Sequence, residues 1–466
     1  MGCLLALLPA AGHDQMWLLY TADLVRHGAK LYGPELFESN PPLIVWLSIV
    51  PSGLGAWLRV PATALGKLLV CGVGLAVAAA CIRLIRGMLE MSRTADWTLG
   101  FVYVAAFLVM PARDFGQRDH LLGFLCLPYL LSAARVLAGR PLSGWPAWIV
   151  GLGLGTALKP HQVLIPISVE LTLLLVRRRE SMLVRPELLG MVTAGMLYAG
   201  AIWLFSPEYV TRMLPLLGET YWAFGHLSWW QLVREAVQLH ILAAAVLCAA
   251  GFMPPVSPIT LVLAVAGVAA TVAYYVQRTG WYYQQLPACM ALAVLGVELG
   301  ERRQWCLPSW TQPATIGLCG LAVLLTAHFM GYPFTSERSF PIDTPDPSLF
   351  AGLTPGTPVA TLTTTVDYTI PPVFKYHLTL AQRYPHLWML PAILRSEPGE
   401  RPLPPERLTA LEEFQHEAML EEFMRWHPQL VSVERCQDPA VQCQVLEGRH
   451  DDLLAWFVRT ADSVRS

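Results

Sequence analysis

ATALGKLLVCGVGLAVAAACIRLIR, residues 62–86, decides the fold. An apolar run that ends in Arg83 and Arg86 satisfies the need for about 20 residues to cross a bilayer core, with basic residues left at one rim. Working outward, similar runs bounded by charges predict helices near 1–11, 97–112, 121–137, 146–158, 162–176, 187–205, 233–252, 257–275, 283–300 and 311–330. Together they read as an all-α polytopic membrane bundle of about eleven helices. Met1 to Ala11 lacks the basic leader and cleavage site of a signal peptide, and reads as a span whose true start lies further upstream.

Composition agrees. Of 466 residues, 54% are hydrophobic and 14% charged, against about 25% charged in a soluble domain. The 34 acidic and 32 basic residues leave a net charge of -2, so no broad basic field exists to hold nucleic acid, which is excluded as a partner. The 37 prolines and 35 glycines suit bundled membrane helices, where neighbouring groups satisfy freed backbone.

Orientation follows from Lys and Arg, which collect in short cytoplasmic loops. Four turns are basic: Arg83, Arg86 and Arg93; Arg135 and Arg140; Arg177, Arg178, Arg179 and Arg185; and Arg302 with Arg303. With these inside, 12–61, 113–120, 159–161, 206–232, 276–282 and the C-terminal tail lie outside. Pro42 to Leu58 reads as an interfacial or re-entrant helix broken at Pro51, Ser52 and Gly53, because counting it as a span would put Arg177 to Arg185 outside.

After about Met330, Pro, Thr, Glu and Arg replace Leu, Ala and Val. Residues 1–330 therefore read as a transmembrane domain, with 12–61 its first outer loop, and 331–466 as a small extracytoplasmic α/β domain. Within it, Pro358 to Thr365 and Leu430 to Glu434 are predicted strands, and Pro405 to Trp426 and Asp451 to Arg459 predicted helices. Most of the 10 cysteines fall in spans and read as small apolar residues. Cys436 and Cys443 flank a turn outside the membrane, where a structural disulfide and two free thiols are both open.

Polar residues that are costly beside lipid gather in the outer segments. The first group holds His13, Asp14, Gln15 and Glu38 to Leu43; the second Arg113, Asp114, Gln117, Arg118, Asp119 and His120; the third Lys159 and His161; the fourth Gln277, Arg278, Trp281, Tyr282 and Tyr283. Together they supply carboxylates, cations and aromatic rings.

Three features of these groups resemble the GT-C glycosyltransferases that use polyprenyl-phosphate sugars, such as protein O-mannosyltransferases, aminoarabinose transferases and lipopolysaccharide sugar transferases. An acid follows the first span, Asp14 in Gly-His-Asp-Gln; a Pro-Pro-Leu element follows Glu38; and a second outer loop holds Asp114 and Asp119. The pattern covers about 1–170, and the later spans agree by topology alone. The resemblance implies a GT-C-like fold in an inner membrane with a periplasmic C-terminal domain. It implies inverting transfer of a sugar from the lipid donor to a lipid, glycan or protein acceptor. Asp14 is then the general base. A polyprenyl phosphate leaves as a stable anion, so one carboxylate suffices and cations must meet the phosphate. Lys159, Arg118, Arg278 and His161 are the candidates for that, Glu38, Asp114 and Asp119 for positioning acceptor or cation, and His13, Gln117, Gln277 and Tyr282 for lining the substrate cavity. The chain departs from the family at Gln15, where a second acid is common, and at Asn40, where some members carry Lys. Asp14, Glu38, Asp114 and Asp119 still offer the oxygen ligands that Mg or Mn prefers.

Plainer roles compete for each residue. Asp14 can be a solvated helix-terminal acid, Asp114 and Asp119 can pair with Arg113 and Arg118, Lys159 can snorkel to headgroups, and Trp281 to Tyr283 can form an interfacial aromatic belt. Two other functions compete as well: a transporter or flippase of lipid-linked sugars, and a noncatalytic membrane partner in envelope assembly. No HExxH or CxxC supports zinc chemistry.

Overall fold

A computed structural model describes residues 11–86, 88, 103, 105–111, 114–157, 159–177, 184–225, 227–250, 256–303, 347–364, 366–397, 399 and 403–433. Regular structure among them is helical except for three short strands. The chain forms two compact units: one from the described residues of Leu54–Ala201 and Gly225–Phe340, the other from His13–Gly53, Ile202–Phe224 and the described residues of Pro341–Ser466.

The first unit is built around Arg118–Leu137, which packs against Ala62–Arg86, Trp145–Ala157, Leu164–Arg177, Pro258–Gln277 and Leu286–Arg303. Apolar residues on every side, from Leu122 and Phe124 to Tyr129, Leu130 and Ala134, explain why this helix is central and buried. Among the described residues, four helices are long and apolar enough to cross a membrane: Ala62–Arg86, Arg118–Leu137, Pro186–Phe205 and Pro258–Gln277. Leu75, Met196, Leu197, Trp203 and Val268 remain exposed on them, the outward apolar face that a lipid solvent accepts. A Cβ at Gly151 or Gly155 would strike the backbone of Glu187 or Met191, so small residues set the close approach of Trp145–Ala157 to Pro186–Phe205.

Two helices expected near 146–158 and 162–176 are present at close to their expected lengths. Trp145–Ala157 and Leu164–Arg177 are helices of 13 and 14 residues, about 20 Å long at 1.5 Å per residue and short of a full crossing. The expected span 233–252 is divided at Ala236 (φ -102, ψ 24) into Trp229–Glu235 and Val237–Ala250. A reciprocal cap between Ser228 and Gln231 starts the first piece early. Pro42–Leu58 is one helix that continues through Pro51, so the expected break is absent. Only the single backbone bond that proline cannot donate is forfeited there. Nearly all of 1–11, the first part of 97–112, all of 311–330, Asp451 to Arg459, Arg93, Arg113, Arg178, Arg179, Cys436 and Cys443 lie outside the described residues.

Three basic helix ends meet in the first unit. Arg135 donates to the Leu84 carbonyl at 3.3 Å and Arg177 to the Leu137 carbonyl, each cation satisfying an orphan carbonyl at a neighbouring C-terminus. Arg185, expected in the basic turn with Arg177 to Arg179, is buried and paired with Glu170, which also accepts from Tyr129 at 2.6 Å.

The second unit carries a parallel sheet in the order β2 (Thr379–Leu380), β1 (Pro358–Leu362), β3 (Leu430–Val433). Val359 is paired with Leu380 on one side and Leu430 on the other. The helix Val366–Lys375 makes the crossover between β1 and β2 that a parallel pair requires. The expected strands and the helix Pro405–Trp426 are present, the strands slightly shorter. One unexpected element is His13–Arg26, a helix where a loop was expected. It buries Trp17, Leu18, Leu19 and Ala22, and packs against Val366–Lys375.

Candidate functional site

In the first unit, the polar residues assemble where helical segments begin. Lys159 is the extended N-cap (φ -90, ψ 148) of the turn Pro160–Val163, which runs into Leu164–Arg177. Pro160 at the first helical position fixes that entry. Asp119 is the second residue of Arg118–Leu137, where an acid meets the positive end of the helix. Tyr283 belongs to the turn Tyr282–Gln285, which runs into Leu286–Arg303.

Lys159 joins all three. Its ammonium donates to the Asp119 carboxylate and lies 5.3 Å from the centre of the Tyr283 ring. Both charged residues are buried, Asp119 completely and Lys159 at 8% exposure. The Lys159 side chain thus lies inside the unit, held by a carboxylate and an aromatic face, and does not extend outward in the snorkelling arrangement.

His161 and Arg118 belong to the same group. The His161 pKa is pushed down to about 4, chiefly by burial and then by the Lys159 charge; Asp119 opposes the shift and Arg118 adds to it. His161 is therefore neutral near pH 7 and offers a hydrogen bond there, not a positive charge. Buried atoms lacking a hydrogen-bond partner here include Asp119 Oδ1, His161 Nε2 and both amide atoms of Gln162.

Other candidates are engaged elsewhere in this unit. Arg278 is exposed in a left-handed conformation (φ 55) and directs Nε and Nη2 to the Leu227 carbonyl at 3.0 and 2.9 Å. Gln277 turns its amide back to the Ala273 carbonyl at 3.0 Å. The Tyr282 hydroxyl donates to the Met110 carbonyl at 2.6 Å. Asp114 and Gln117 are buried, and Gln117 occupies the N-cap position of Arg118–Leu137 without a side-chain capping hydrogen bond. His120 is fixed between the Gly116 amide and the Phe107 carbonyl, against the rings of Phe107, Phe115 and Phe124.

The second unit holds the other group. His13 opens the helix His13–Arg26, and its Nε2 lies 3.3 Å from Asp14 Oδ1, with both side chains about a quarter exposed or less. Two backbone groups after β1 are tied to the N-terminal segment: the Leu380 amide donates to the Tyr20 hydroxyl at 3.0 Å, and the Arg383 carbonyl accepts from the Phe37 amide at 2.7 Å. This brings His386 within reach of the Asp14 and His13 charges. Burial lowers the His386 pKa to about 4, with the Asp14 carboxylate opposing and His13 reinforcing that shift. His386 Nδ1 and the indole nitrogen of Trp388 are buried without a hydrogen-bond partner.

Glu38 is 1% exposed and organises its own loop. Trp17 donates to one carboxylate oxygen, and the backbone and side-chain nitrogens of Asn40 donate to the other at 2.7 Å each. The Tyr32 hydroxyl then donates to the Asn40 carbonyl at 2.5 Å. The stretch before Pro41 and Pro42 is thereby held in one conformation.

His386, Trp388 and Gln162 were missed by the sequence reading. No motif surrounds His386 or Trp388, and their significance depends on pairing across more than 300 residues. Gln162 adjoins His161 but looks like any polar residue at a helix start. Among the described residues, no group of three or more His, Cys, Asp or Glu side chains is arranged to hold a metal ion. No family model matches the sequence, and neither a curated protein nor a solved structure shows significant similarity to it.

Proposed function

We propose that the chain is an inner-membrane glycosyltransferase of GT-C type, with about eleven spans and a periplasmic C-terminal domain, that moves a sugar from a polyprenyl-phosphate donor to an extracytoplasmic acceptor. The observation that supports this most is the buried Lys159, held by Asp119 and Tyr283 where three helical segments begin. Helix starts present positive dipole ends and unsatisfied N–H groups, and a fixed ammonium beside them favours a phosphate.

In this reading the acceptor hydroxyl or amine attacks the anomeric carbon as the bond to the phosphate oxygen breaks. The acceptor proton passes to Asp14, the base that the resemblance implies, and the electron pair of the broken bond leaves with the polyprenyl phosphate. One displacement inverts the anomeric centre. No acid is required, because the leaving phosphate is already a stable anion.

The test is mass spectrometry of polyprenyl-phosphate sugars and envelope glycans in cells with the wild-type chain, no chain, Asp14→Asn or Lys159→Met, with membrane insertion measured alongside. Accumulation of one lipid-linked sugar and loss of one envelope modification in all three deficient strains is expected. Wild-type glycans in Asp14→Asn cells, with altered glycans in the null, would remove Asp14 as base.

One observation favours a second reading, transport of a lipid-linked sugar. Two buried polar clusters, Tyr129 and Arg185 on Glu170 and Ser132 on Glu187, provide ionisable groups beside Arg118–Leu137, and such groups in membrane helices commonly line transport paths. Lipid-linked sugar crossing proteoliposomes without acceptor would support transport; transfer without crossing supports the enzyme.

A further inference from the structure

Gln162 is fully buried, and neither its amide oxygen nor its amide nitrogen has a hydrogen-bond partner. A buried amide in that state is costly, because each unsatisfied atom has given up water for nothing. It lies three residues beyond Lys159 in a tight turn, where its backbone N–H donates to the Lys159 carbonyl at 3.0 Å. Gln162 is thereby tied to Lys159 through the backbone of one turn.

The neighbouring unpartnered atoms restrict what could satisfy it. The Gln162 amide oxygen and Asp119 Oδ1, on the carboxylate that Lys159 holds, are both acceptors without a donor. A phosphate supplies only acceptors and would answer none of these oxygens. They need O–H or N–H donors from the ligand, while the Gln162 nitrogen needs an acceptor. Ring hydroxyls supply both.

We infer that Gln162, in the same turn as Lys159 and with the Asp119 carboxylate that Lys159 holds, binds the donating ring substituents of the sugar attached to the phosphate at Lys159, and so sets which sugar is accepted. This rests on the phosphate reading of Lys159 given above. Gln162 hydrogen-bonds substrate in this inference, and Lys159 supplies the charge.

The full chain in detergent is titrated with farnesyl phosphate and with its glucosyl, mannosyl and aminoarabinosyl esters, for the wild type and for Gln162→Met, Gln162→Glu and Lys159→Met. The wild type binds at least one ester more tightly than bare farnesyl phosphate. Gln162→Met, which keeps the length and removes both polar atoms, loses about tenfold or more of that preference, the equivalent of one or two hydrogen bonds, and keeps its affinity for the bare phosphate. Its melting temperature without ligand rises or stays level, because an unsatisfied amide has been removed. Lys159→Met loses bare phosphate and esters alike.

Other outcomes overturn the inference in different ways. Equal binding of esters and bare phosphate by the wild type, or an unchanged preference in both Gln162 variants, removes the sugar role and leaves the phosphate reading standing. A Gln162→Met chain that melts lower and weakens all ligands in parallel makes Gln162 structural. A wild type that binds neither bare phosphate nor ester removes the phosphate reading and this inference together.

Discussion

Lys159 donates to Asp119 from the cap of one helical segment to the first turn of another, and both side chains are buried. Removing one partner strands the other charge inside. Lys159→Met or Asp119→Leu alone is expected to destabilise the chain by about 3–5 kcal/mol. The double variant should recover most of that loss, since apolar residues can replace a buried pair at little cost. Unfolding of the four chains in detergent measures the cycle, and additive losses would show that the pair is not coupled. Recovery of stability without recovery of farnesyl phosphate binding would separate the structural share of the pair from the ligand share.

The His386 imidazole gives a pH prediction. Burial holds its pKa near 4 against an ordinary 6.5, and the Asp14 carboxylate is the group that resists the shift. The folded state therefore takes up this proton later than the unfolded state does. The stability linked to a neutral His386 is present above about pH 6.5 and is lost as pH falls toward 4. Asp14→Asn removes the opposing charge, so His386 should titrate lower still. Histidine-labelled NMR of wild type, Asp14→Asn and His386→Gln assigns and follows the signal. An upward shift in Asp14→Asn would contradict the electrostatic arrangement of His13, Asp14 and His386.

Long-period patterns were legible in the sequence, and short-range geometry was not. Ala62–Arg86 and Pro405–Trp426 match their predicted limits because an apolar run and an amphipathic run each extend over many turns. The helix Val366–Lys375 escaped notice because Pro371 and Pro372 sit inside it. The two-residue strand Thr379–Leu380 is too short to carry a period. Asp14, Asp119, Lys159 and His161 could be picked out as charged or titratable groups near apolar helices. The buried states of Glu38 and Arg185 could not, because burial of a charge is decided by partners such as Trp17 and Glu170 that lie at unpredictable separations.

Orientation can be tested on the basic helix ends that cap one another through Arg135 and Arg177. If these ends are cytoplasmic, alkaline phosphatase joined after Arg140 stays inactive and green fluorescent protein there is bright. Joined after Ser466, the phosphatase is active and the fluorescent protein dark. The reverse pair of results would place Lys159 and Asp119 on the cytoplasmic side and redirect the proposed chemistry to that compartment.

Asp14 and Glu38 are both acids of the N-terminal segment, yet their surroundings assign them different work. Glu38 accepts from Trp17 and twice from Asn40 while 1% exposed. Glu38→Ala leaves three donors without an acceptor and is expected to cost about 3 kcal/mol or more. Glu38→Gln keeps one acceptor oxygen and should cost less. Asp14 is about a quarter exposed beside His13, so Asp14→Asn should change stability by less than about 1 kcal/mol. If Asp14 is the base, turnover in Asp14→Asn should fall by a factor of about 100 or more. Melting curves and transfer rates on the same detergent preparations separate the two positions. A Glu38→Gln chain that is stable yet inactive would give Glu38 a role in the chemistry, and an Asp14→Asn chain that is active but unstable would make Asp14 part of the scaffold.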